Sequence, residues 1–212
     1  MLRLHLPKKG DLRDPNNWRD ITLLSIPGKV LCAILADRIR PAIEKVLREE
    51  QAGFRPNRGC SDQIFTLRRI IEKSINKRYG IILNFIDFEK AFDSVHQESL
   101  WEILKSYGIP TKIVEIIKSL YEDAESCVKV NEEENTAWFK IKTGVRQECI
   151  LSPLLFIIAI DWVLQKALKD QKLGIKLNYK QEIEDLDFAD DIVLIADNTQ
   201  KMQEKTDRID TH

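Results

Sequence analysis

The chain contains no long uninterrupted hydrophobic run. Its longest apolar segment, residues 154–160, is preceded by Ser152 and Pro153 and followed by Asp161. This segment is far shorter than the ~20 residues that a helix needs to span a bilayer. The N-terminus also lacks the basic and then apolar pattern of a secretory signal sequence. We therefore expect a protein that neither crosses a membrane nor is secreted.

Cysteine and histidine are scarce, with four and three residues respectively. No two cysteines have CxxC spacing and no histidine lies near one of them, so the sequence gives no sign of a structural zinc site. Because a secretory signal is lacking, we expect free thiols in a reducing compartment. The cysteines are Cys32, Cys60, Cys127 and Cys149.

Internal repeats, low-complexity tracts and long linkers are also absent from the 212 residues. Hydrophobic residues make up 43% and charged residues 32%, the ordinary balance of a globular protein with one domain or two small lobes. Residues 1–7 read as a strand already in progress, and residues 200–212 as a helix with no element after it. These ends lead us to expect a piece of a longer protein.

Charge is unevenly distributed although the formal net charge is only −1. Residues 1–80 carry 17 Lys and Arg against 9 Asp and Glu, whereas residues 81–212 carry 16 against 25. A basic part next to an acidic part is typical of a nucleic-acid grip beside a metal-binding centre. Chance segregation of solvated charges is the alternative.

The apolar periodicity alternates between the helical and the strand pattern. Helices are predicted over residues 29–40, from a cap at Ser61, and over residues 98–107, 111–121 and 153–169. Strands are predicted over residues 81–88, 127–130, 138–141, 183–188 and 192–196. Strands alternating with helices, together with a final hairpin, indicate an α/β (α+β) fold.

Three aspartates lie where apolar strands end. Asp87 follows one strand, and Asp190 and Asp191 lie between the two strands of the last hairpin. If these strands are neighbours, the carboxylates converge and can bind Mg²⁺, which prefers oxygen ligands. Two such ions about 3.5–4 Å apart can stabilise both the attacking and the leaving oxygen of a phosphoryl transfer. On its own, the Asp190–Asp191 pair is also typical of a simple turn.

Two further segments carry residues that suit a nucleotide. Phe92, five residues after Asp87, can form the floor of a sugar pocket or belong to the core. In residues 144–153, Gly144 permits a tight turn, and Arg146 and Gln147 can reach a nucleotide or a template strand. Alternatively, this segment is a loop before a buried helix.

The basic N-terminal part contains lysine and arginine on predicted turns. Lysine and arginine of this part, Lys8, Lys9, Arg19 and those of the loop over residues 53–59, can bind triphosphate oxygens or template phosphates. Trp18 and Phe54 would be stacking or packing partners. A solvated surface is the alternative interpretation.

Taken together and in this order, six segments resemble the reverse transcriptases of non-LTR retrotransposons, the long interspersed element type. Each segment alone is a weak signal, whereas the order and spacing of all six are specific. The resemblance covers nearly the whole chain. The segments are residues 8–11, 17–24, 52–55, 87–95, 144–156 and 188–191.

The resemblance implies a right-hand polymerase fold without its thumb. Residues 1–80 would form a fingers-like basic region, and residues 81–212 a palm-like region with a small antiparallel sheet backed by helices. The implied reaction is attack of a DNA primer 3′-hydroxyl on the α-phosphate of a dNTP, directed by an RNA template, with pyrophosphate as the leaving group. The lack of a secretory signal leads us to expect an intracellular location. In this family a nuclear location would follow from priming at a target site, although these residues do not encode it.

The same resemblance assigns roles to the acidic residues. Asp87 and Asp190 would hold two Mg²⁺ or Mn²⁺ ions, and Asp191 would complete the carboxylate set. In such a centre, catalysis is mostly positioning and charge neutralisation. We therefore expect these three aspartates to tolerate substitution worst.

The substrate-binding roles also follow from the resemblance. Phe92 would screen the 2′ position of the incoming sugar. Arg19 and one lysine of the pair Lys8 and Lys9 would contact the triphosphate. Gln147 would lie beside the incoming nucleotide and the template.

Departures from the family pattern favour a second interpretation, a catalytically inactive retroelement remnant that retains at most nucleic-acid binding. Glu148 stands where the family has glycine, and a carboxylate 4 Å from a phosphate charge is repelled by roughly 4 kcal/mol at an effective dielectric of about 20. Asp20 stands where proline is usual, which costs rigidity rather than chemistry. The family's segments beyond Asp197 are also missing from this sequence.

Overall fold

A computed structural model describes residues 2–7, 11, 13, 17–122, 125–126, 137–146, 149–168, 173–176 and 182–211. The chain forms two compact units. The first contains residues 1–45 and 92–156, and the second contains residues 46–91 and 157–212. The division into a fingers-like region and a palm-like region at residue 80 stays a prediction.

Helices and strands are interspersed along the chain, which has the α/β composition that the periodicity predicted. The helices are α1 (Ile26–Ile43), α2 (Cys60–Lys77), α3 (Ala91–Ser94), α4 (Gln97–Ser106), α5 (Thr111–Tyr121), α6 (Ser152–Leu168) and α7 (Thr199–Thr211). The strands are β1 (Leu2–Pro7), β2 (Trp18–Leu23), β3 (Ile82–Ile86), β4 (Glu125–Ser126), β5 (Phe139–Lys140), β6 (Ile175–Lys176), β7 (Glu182–Ile183), β8 (Asp185–Phe188) and β9 (Asp191–Ala196).

The first unit combines a two-stranded sheet with helices. Strands β1 and β2 pair antiparallel. Helix α1 begins after Ser25, whose Oγ accepts a hydrogen bond from the Gly28 amide at 3.3 Å. Helices α4 and α5 contact each other and contribute apolar side chains that are fully buried. Leu104 and Ile117 are examples of these core residues.

The second unit is built around a three-stranded antiparallel sheet in the order β3-β9-β8. Side chains at alternate positions of a strand share one face. Val193 and Ile195 of β9 accordingly pack with Leu186 of β8 and Ile70 of α2 in one apolar cluster. Helix α7 contacts β9 and β3. This is the small antiparallel sheet backed by helices that the resemblance implied.

The predicted boundaries differ from the observed ones by a few residues, for local reasons. Helix α2 has Gly59 rather than Ser61 as its cap, because the Asp62 carboxylate accepts a hydrogen bond from the Gly59 amide at 3.0 Å. In the last hairpin the turn is Ala189–Asp190, and Asp191 already belongs to β9.

One predicted hairpin falls partly outside the described residues. The predicted strand over residues 127–130 lies outside the described part. The structure does show a short antiparallel pair in this region, formed by β4, which precedes residues 127–130, and β5, which lies within the second predicted strand over residues 138–141. Cys32, Cys60 and Cys149 are free thiols, as expected, and Cys127 is outside the described part. Among the helices of the described ranges, none is both long and apolar enough to cross a membrane.

Candidate active site

The strand register brings the three predicted aspartates to one end of the sheet in the second unit. Strands β3 and β9 are antiparallel, and their last pair is Ile86 with Ile192. Asp87 therefore follows β3 at the end where β9 begins with Asp191. Asp190 lies in the turn just before β9. Asp87 and Asp191 are exposed and Asp190 is half-buried, so all three are open to a ligand from solvent.

This donor set suits a cation that brings other ligands with it. Within the described ranges, no group of three or more His, Cys, Asp or Glu side chains is arranged to hold a metal ion by itself. Mg²⁺ keeps several waters and is usually bound by one or two carboxylates together with substrate phosphates. Oxygen donors that face solvent at one end of a sheet fit that mode of binding.

The turn that carries Asp190 is strained. Phe188 pairs with Asp191, so only Ala189 and Asp190 lie between the strands. Ala189 has a φ of 60°, which the first central residue of a tight hairpin turn requires and which usually selects glycine. Placing a side chain there costs about 1–2 kcal/mol. Such a conformation persists only where neighbouring groups hold it.

Gln51 supplies that support. Its side chain is fully buried and contacts both polar groups of the Ala189 main chain. Oε1 accepts hydrogen bonds from the amides of Ala189 at 2.9 Å and Gly53 at 2.7 Å. Nε2 donates to the Ala189 carbonyl at 3.2 Å. Because buried polar groups need partners, these bonds favour one position of the turn.

The residues around Gln51 also pair with β8 through the main chain. The Asp187 amide donates to the Glu50 carbonyl at 3.1 Å, and the Ala52 amide donates to the Asp187 carbonyl at 2.9 Å. The Gln63 side chain of α2 donates to the carbonyls of Glu50, at 2.7 Å, and Asp187, at 3.2 Å. We call residues 48–53 the supporting segment.

Arg48 begins the supporting segment and contacts three carboxylates. Nη1 donates to Asp185 at 2.6 Å, and Nη2 donates to Asp187 at 2.5 Å. Nε and the main-chain amide donate to Asp161 of α6 at 3.1 and 3.2 Å. The three acidic side chains are 0 to 1% exposed and that of Arg48 14%, so this is a buried ion cluster.

Burial controls the protonation of this cluster. Burial, and then repulsion by Asp185, hold the pKa of Asp187 well above its usual range, although Arg48 opposes them. Burial alone would lower the pKa of Arg48, but the carboxylates of Asp185, Asp187 and Asp161 outweigh it and raise that pKa. Among the residues that the structure describes, the second oxygens of Asp185 and Asp187, both Oδ1, have no hydrogen-bond partner. A proton on Asp187 would relieve its repulsion with Asp185.

Asp187→Asn should therefore be as stable as the parent chain, or more stable, at neutral pH. An acid whose pKa is raised by folding stabilises the fold below its unfolded pKa, and this contribution is lost as the pH rises through the folded value. The parent chain should lose stability on passing from about pH 4 toward neutrality through this group. The variant should lack that component, which urea denaturation across the range would measure.

Asp37→Asn, at an exposed position of α1, is the control for this experiment and should keep the parent's pH profile. A neutral-pH destabilisation by Asp187→Asn that Asp37→Asn does not show would contradict the expectation.

A second buried cation holds the other end of the β8–β9 hairpin. The Lys205 side chain of α7 is fully buried, and its Nζ donates to the carbonyls of Glu184 at 2.8 Å and Ile195 at 2.6 Å. It also pairs with the Glu184 carboxylate at 2.5 Å. Burial lowers the pKa of Lys205, while Glu184 opposes the shift. Helix α7 is thus tied to β9 and to the residue just before β8.

Phe92 lies in the first unit. Its half-buried ring stacks on that of Phe156, with centroids 4.6 Å apart and planes 14° from parallel. Its carbonyl accepts a hydrogen bond from the Val145 amide at 2.7 Å. These contacts fix the ring, and its role at the sugar stays a prediction.

The segment over residues 144–153 has the tight turn that its glycine predicted, with a φ of 83° at Gly144. The sequence left two interpretations of Arg146 open: contact with a nucleotide or a template strand, or a place in a loop before a buried helix. The structure fits the second, since Arg146 is buried, donates to the Leu120 carbonyl and lies with its guanidinium carbon 4.8 Å from the centroid of the Tyr121 ring. A hydrogen bond with Cys32 is the main cause that lowers the pKa of the Cys149 thiol to about 6.

Several predicted substrate-binding residues lie beyond what the structure describes. Lys8, Lys9 and Gln147 are outside the described residues, as is Glu148. Arg19 is described only by its main chain, which pairs with Leu6 in the β1–β2 sheet. Their proposed roles stay predictions.

Sequence reasoning missed the residues that support the turn. Asp185 and Asp187 alternate with apolar residues, a pattern that ordinarily predicts a solvent-facing side of a strand. The sequence did contain a signal. Two acids, Asp185 and Asp187, come shortly before the acidic turn, and Arg48 and Gln51 come shortly before the family-like segment of residues 52–55. Only the packing of the supporting segment and α6 against β8 shows that both acids are buried.

Comparison with known proteins identifies the family. Residues 6–212 match the family described as reverse transcriptase (RNA-dependent DNA polymerase). The transposon TX1 149 kDa protein of Xenopus laevis is 34% identical over 201 residues, which cover 90% of this chain and 14% of that protein. A retrovirus-related Pol polyprotein from the type-1 retrotransposable element R2 of Popillia japonica is 32% identical over 193 residues, or 91% of this chain and 27% of that protein.

Solved structures show the same fold. Telomerase from Candida albicans, in complex with a fragment of telomeric RNA, aligns with 99% of this chain and 38% of its own, with a TM-score of 0.71 and 13% identity. This similarity confirms the predicted polymerase fold. The chain spans only 14% and 27% of the two relatives above. Because the match extends over residues 6–212, the chain belongs to the reverse transcriptase (RNA-dependent DNA polymerase) family and, as its motifs predicted, groups with the proteins of non-LTR retrotransposons.

Proposed function

We propose that this chain forms the catalytic region of an RNA-directed DNA polymerase that extends a DNA primer by one nucleotide at a time on an RNA template. The observation that supports this most directly is the placement of Asp87, Asp190 and Asp191 at one end of the small antiparallel sheet. A relative from the Drosophila melanogaster mobile element jockey carries the name RNA-directed DNA polymerase. The proposed location is intracellular, with the nucleus as the site of priming.

The three aspartates are the residues that would hold divalent cations. Reverse transcriptases generally use divalent metal ions, and we propose two Mg²⁺ or Mn²⁺ ions here. When bound, they would neutralise charge on the phosphates and favour ionisation of the primer hydroxyl. The contribution of the chain itself is to keep the carboxylates in place, since most of the rate of phosphoryl transfer comes from positioning and electrostatics.

The remaining proposed roles concern the incoming dNTP. Lys8, Lys9 and Arg19 would bind the triphosphate from the basic region. The fixed ring of Phe92 would limit the space at the sugar 2′ position. Gln147 would contact the nucleotide and the template.

Primer extension on an RNA template tests the proposal. Purified chain that melts cooperatively should extend a labelled DNA primer with dNTPs in the presence of Mg²⁺ or Mn²⁺ and should stop when the metal is chelated. Extension that persists in chelator would contradict the metal assignment. Folded protein that binds primer–template without extending it would instead support the inactive remnant, for which Glu148 is the sequence signal.

A further inference from the structure

A single side chain links strand β8 to helix α6. The Arg48 guanidinium uses different nitrogens for each of its carboxylate partners, Nε for Asp161, Nη1 for Asp185 and Nη2 for Asp187. Asp185 and Asp187 are two residues apart on a strand and therefore share one face. The distances from the Arg48 guanidinium to the carboxylates of Asp185 and Asp187 are short even for charge-assisted hydrogen bonds. Such bonds are directional as well as attractive.

The same residue is anchored in the segment that holds the turn. The Arg48 carbonyl accepts a hydrogen bond from the buried Arg55 side chain at 2.6 Å, and Arg55 also donates to the Gln51 carbonyl at 2.8 Å. Gln51 in turn binds the main chain of Ala189. The supporting segment therefore contacts the hairpin at its tip through Gln51 and along β8 through Arg48.

Loss of the Arg48 guanidinium would remove the cation that pairs with three buried carboxylates. Breaking a buried ion pair from one side is costly, because the remaining charge keeps its desolvation penalty. Strand β8 has only four residues, and Asp187 is three residues before Asp190. Repulsion among these acids would therefore be relieved by movement of β8, and the turn would move with it. A misplacement of about 1 Å can cost a factor of about 100 in rate.

We propose that Arg48 is a positioning residue of the polymerase centre, which fixes β8 through Asp161, Asp185 and Asp187 and thereby sets the position of Asp190 and Asp191. This inference rests on the proposed polymerase function. The carboxylates that the Arg48 guanidinium contacts are those of Asp161, Asp185 and Asp187, and these are distinct from the predicted metal ligands. The effect of Arg48 is exerted through the hairpin.

Arg48→Lys tests the geometry, because lysine keeps the charge but lacks the planar fork that reaches three carboxylates. We expect kcat for primer extension to fall about 10- to 100-fold with an unchanged KM for dNTP. We also expect faster hydrogen exchange at the Ala189 amide, measured by NMR, without faster exchange in the core of the first unit. Arg208→Lys makes the same change in an exposed ion pair of α7 and should alter neither quantity.

A double variant, Arg48→Met with Asp187→Asn, covers the case in which Arg48→Lys does not fold. It removes the guanidinium and one ionisable acid together, so less charge is buried, and it should show the same loss of kcat and of Ala189 protection. If neither variant folds, Arg48 is a folding residue and the proposal is overturned.

The two readouts separate this inference from the proposed function. If the parent chain extends primers, native kcat and native Ala189 exchange in Arg48→Lys overturn the proposal. If the parent chain does not extend primers, the proposed polymerase function is contradicted. Hydrogen exchange at the Ala189 amide then decides by itself whether Arg48 positions the turn. Faster exchange in Arg48→Lys then still supports a role in positioning the turn, and unchanged exchange overturns it.

Discussion

Replacing Asp190 by asparagine should reduce primer extension by at least about a thousandfold while leaving the chain folded. Asp190 is half-buried in the two-residue turn, and its main chain, rather than its carboxylate, closes the hairpin. Asparagine has nearly the same shape, so the turn should persist. Its neutral oxygen is a poor ligand for a hard divalent cation, which prefers carboxylates. Extension in Mg²⁺, corrected for the folded fraction, measures the loss.

Metal binding should fail in the same variant. Mg²⁺ or Mn²⁺ should raise the melting temperature of the parent chain, since a ligand that binds only the folded state stabilises it. This gain should be absent in Asp190→Asn. Asp210→Asn removes the same charge from an exposed position of α7 and should keep both the extension and the gain. A melting shift that persists in Asp190→Asn would place the metal elsewhere.

Gly53→Ala should lower the free energy of unfolding by about 3 kcal/mol or more. A Cβ at residue 53 would lie 2.2 Å from the Ala189 nitrogen and 2.6 Å from its Cα. These are main-chain atoms of the turn, so no side chain can rotate away. The supporting segment and the turn would have to separate, which would also stretch the hydrogen bonds of Gln51. Urea denaturation measures the loss.

Gly80→Ala is the matched control for this substitution. A Cβ at residue 80 would meet no atom within 4 Å, so the change adds the same methyl group in open space. We expect it to leave stability nearly unchanged. If Gly53→Ala proves as mild as Gly80→Ala, the close approach between residue 53 and the turn does not persist in solution.

Local patterns were sufficient to predict much of the second unit. The apolar run before Asp87 and the two runs around Asp190 indicated strands, and these are β3, β8 and β9. Strand ends can be recognised from sequence because alternation and turn residues are local signals. The predicted cap at Ser61 was wrong by two residues. The cap is Gly59, because its amide donates a hydrogen bond to the carboxylate of Asp62, three residues after it.

The role of Arg146 was harder to predict. The sequence left open whether this basic residue reaches the substrate or belongs to a loop before a buried helix. In the structure, Tyr121 and the Leu120 carbonyl take up its guanidinium within the first unit. Partners that are 25 and 26 residues away in sequence leave no mark on the local pattern.

The sequence by itself predicted the family, most of the helices and strands, and the three aspartates that the structure places at one end of the sheet, because motif order and periodicity are properties of the chain alone. Only the tertiary structure decided how the acidic turn is held. Arg48 and Asp185 are separated by 137 positions, and Gln51 and Ala189 by 138. Their contacts depend on burial: a carboxylate that looks solvent-facing in a strand must find a cation once packing removes it from water.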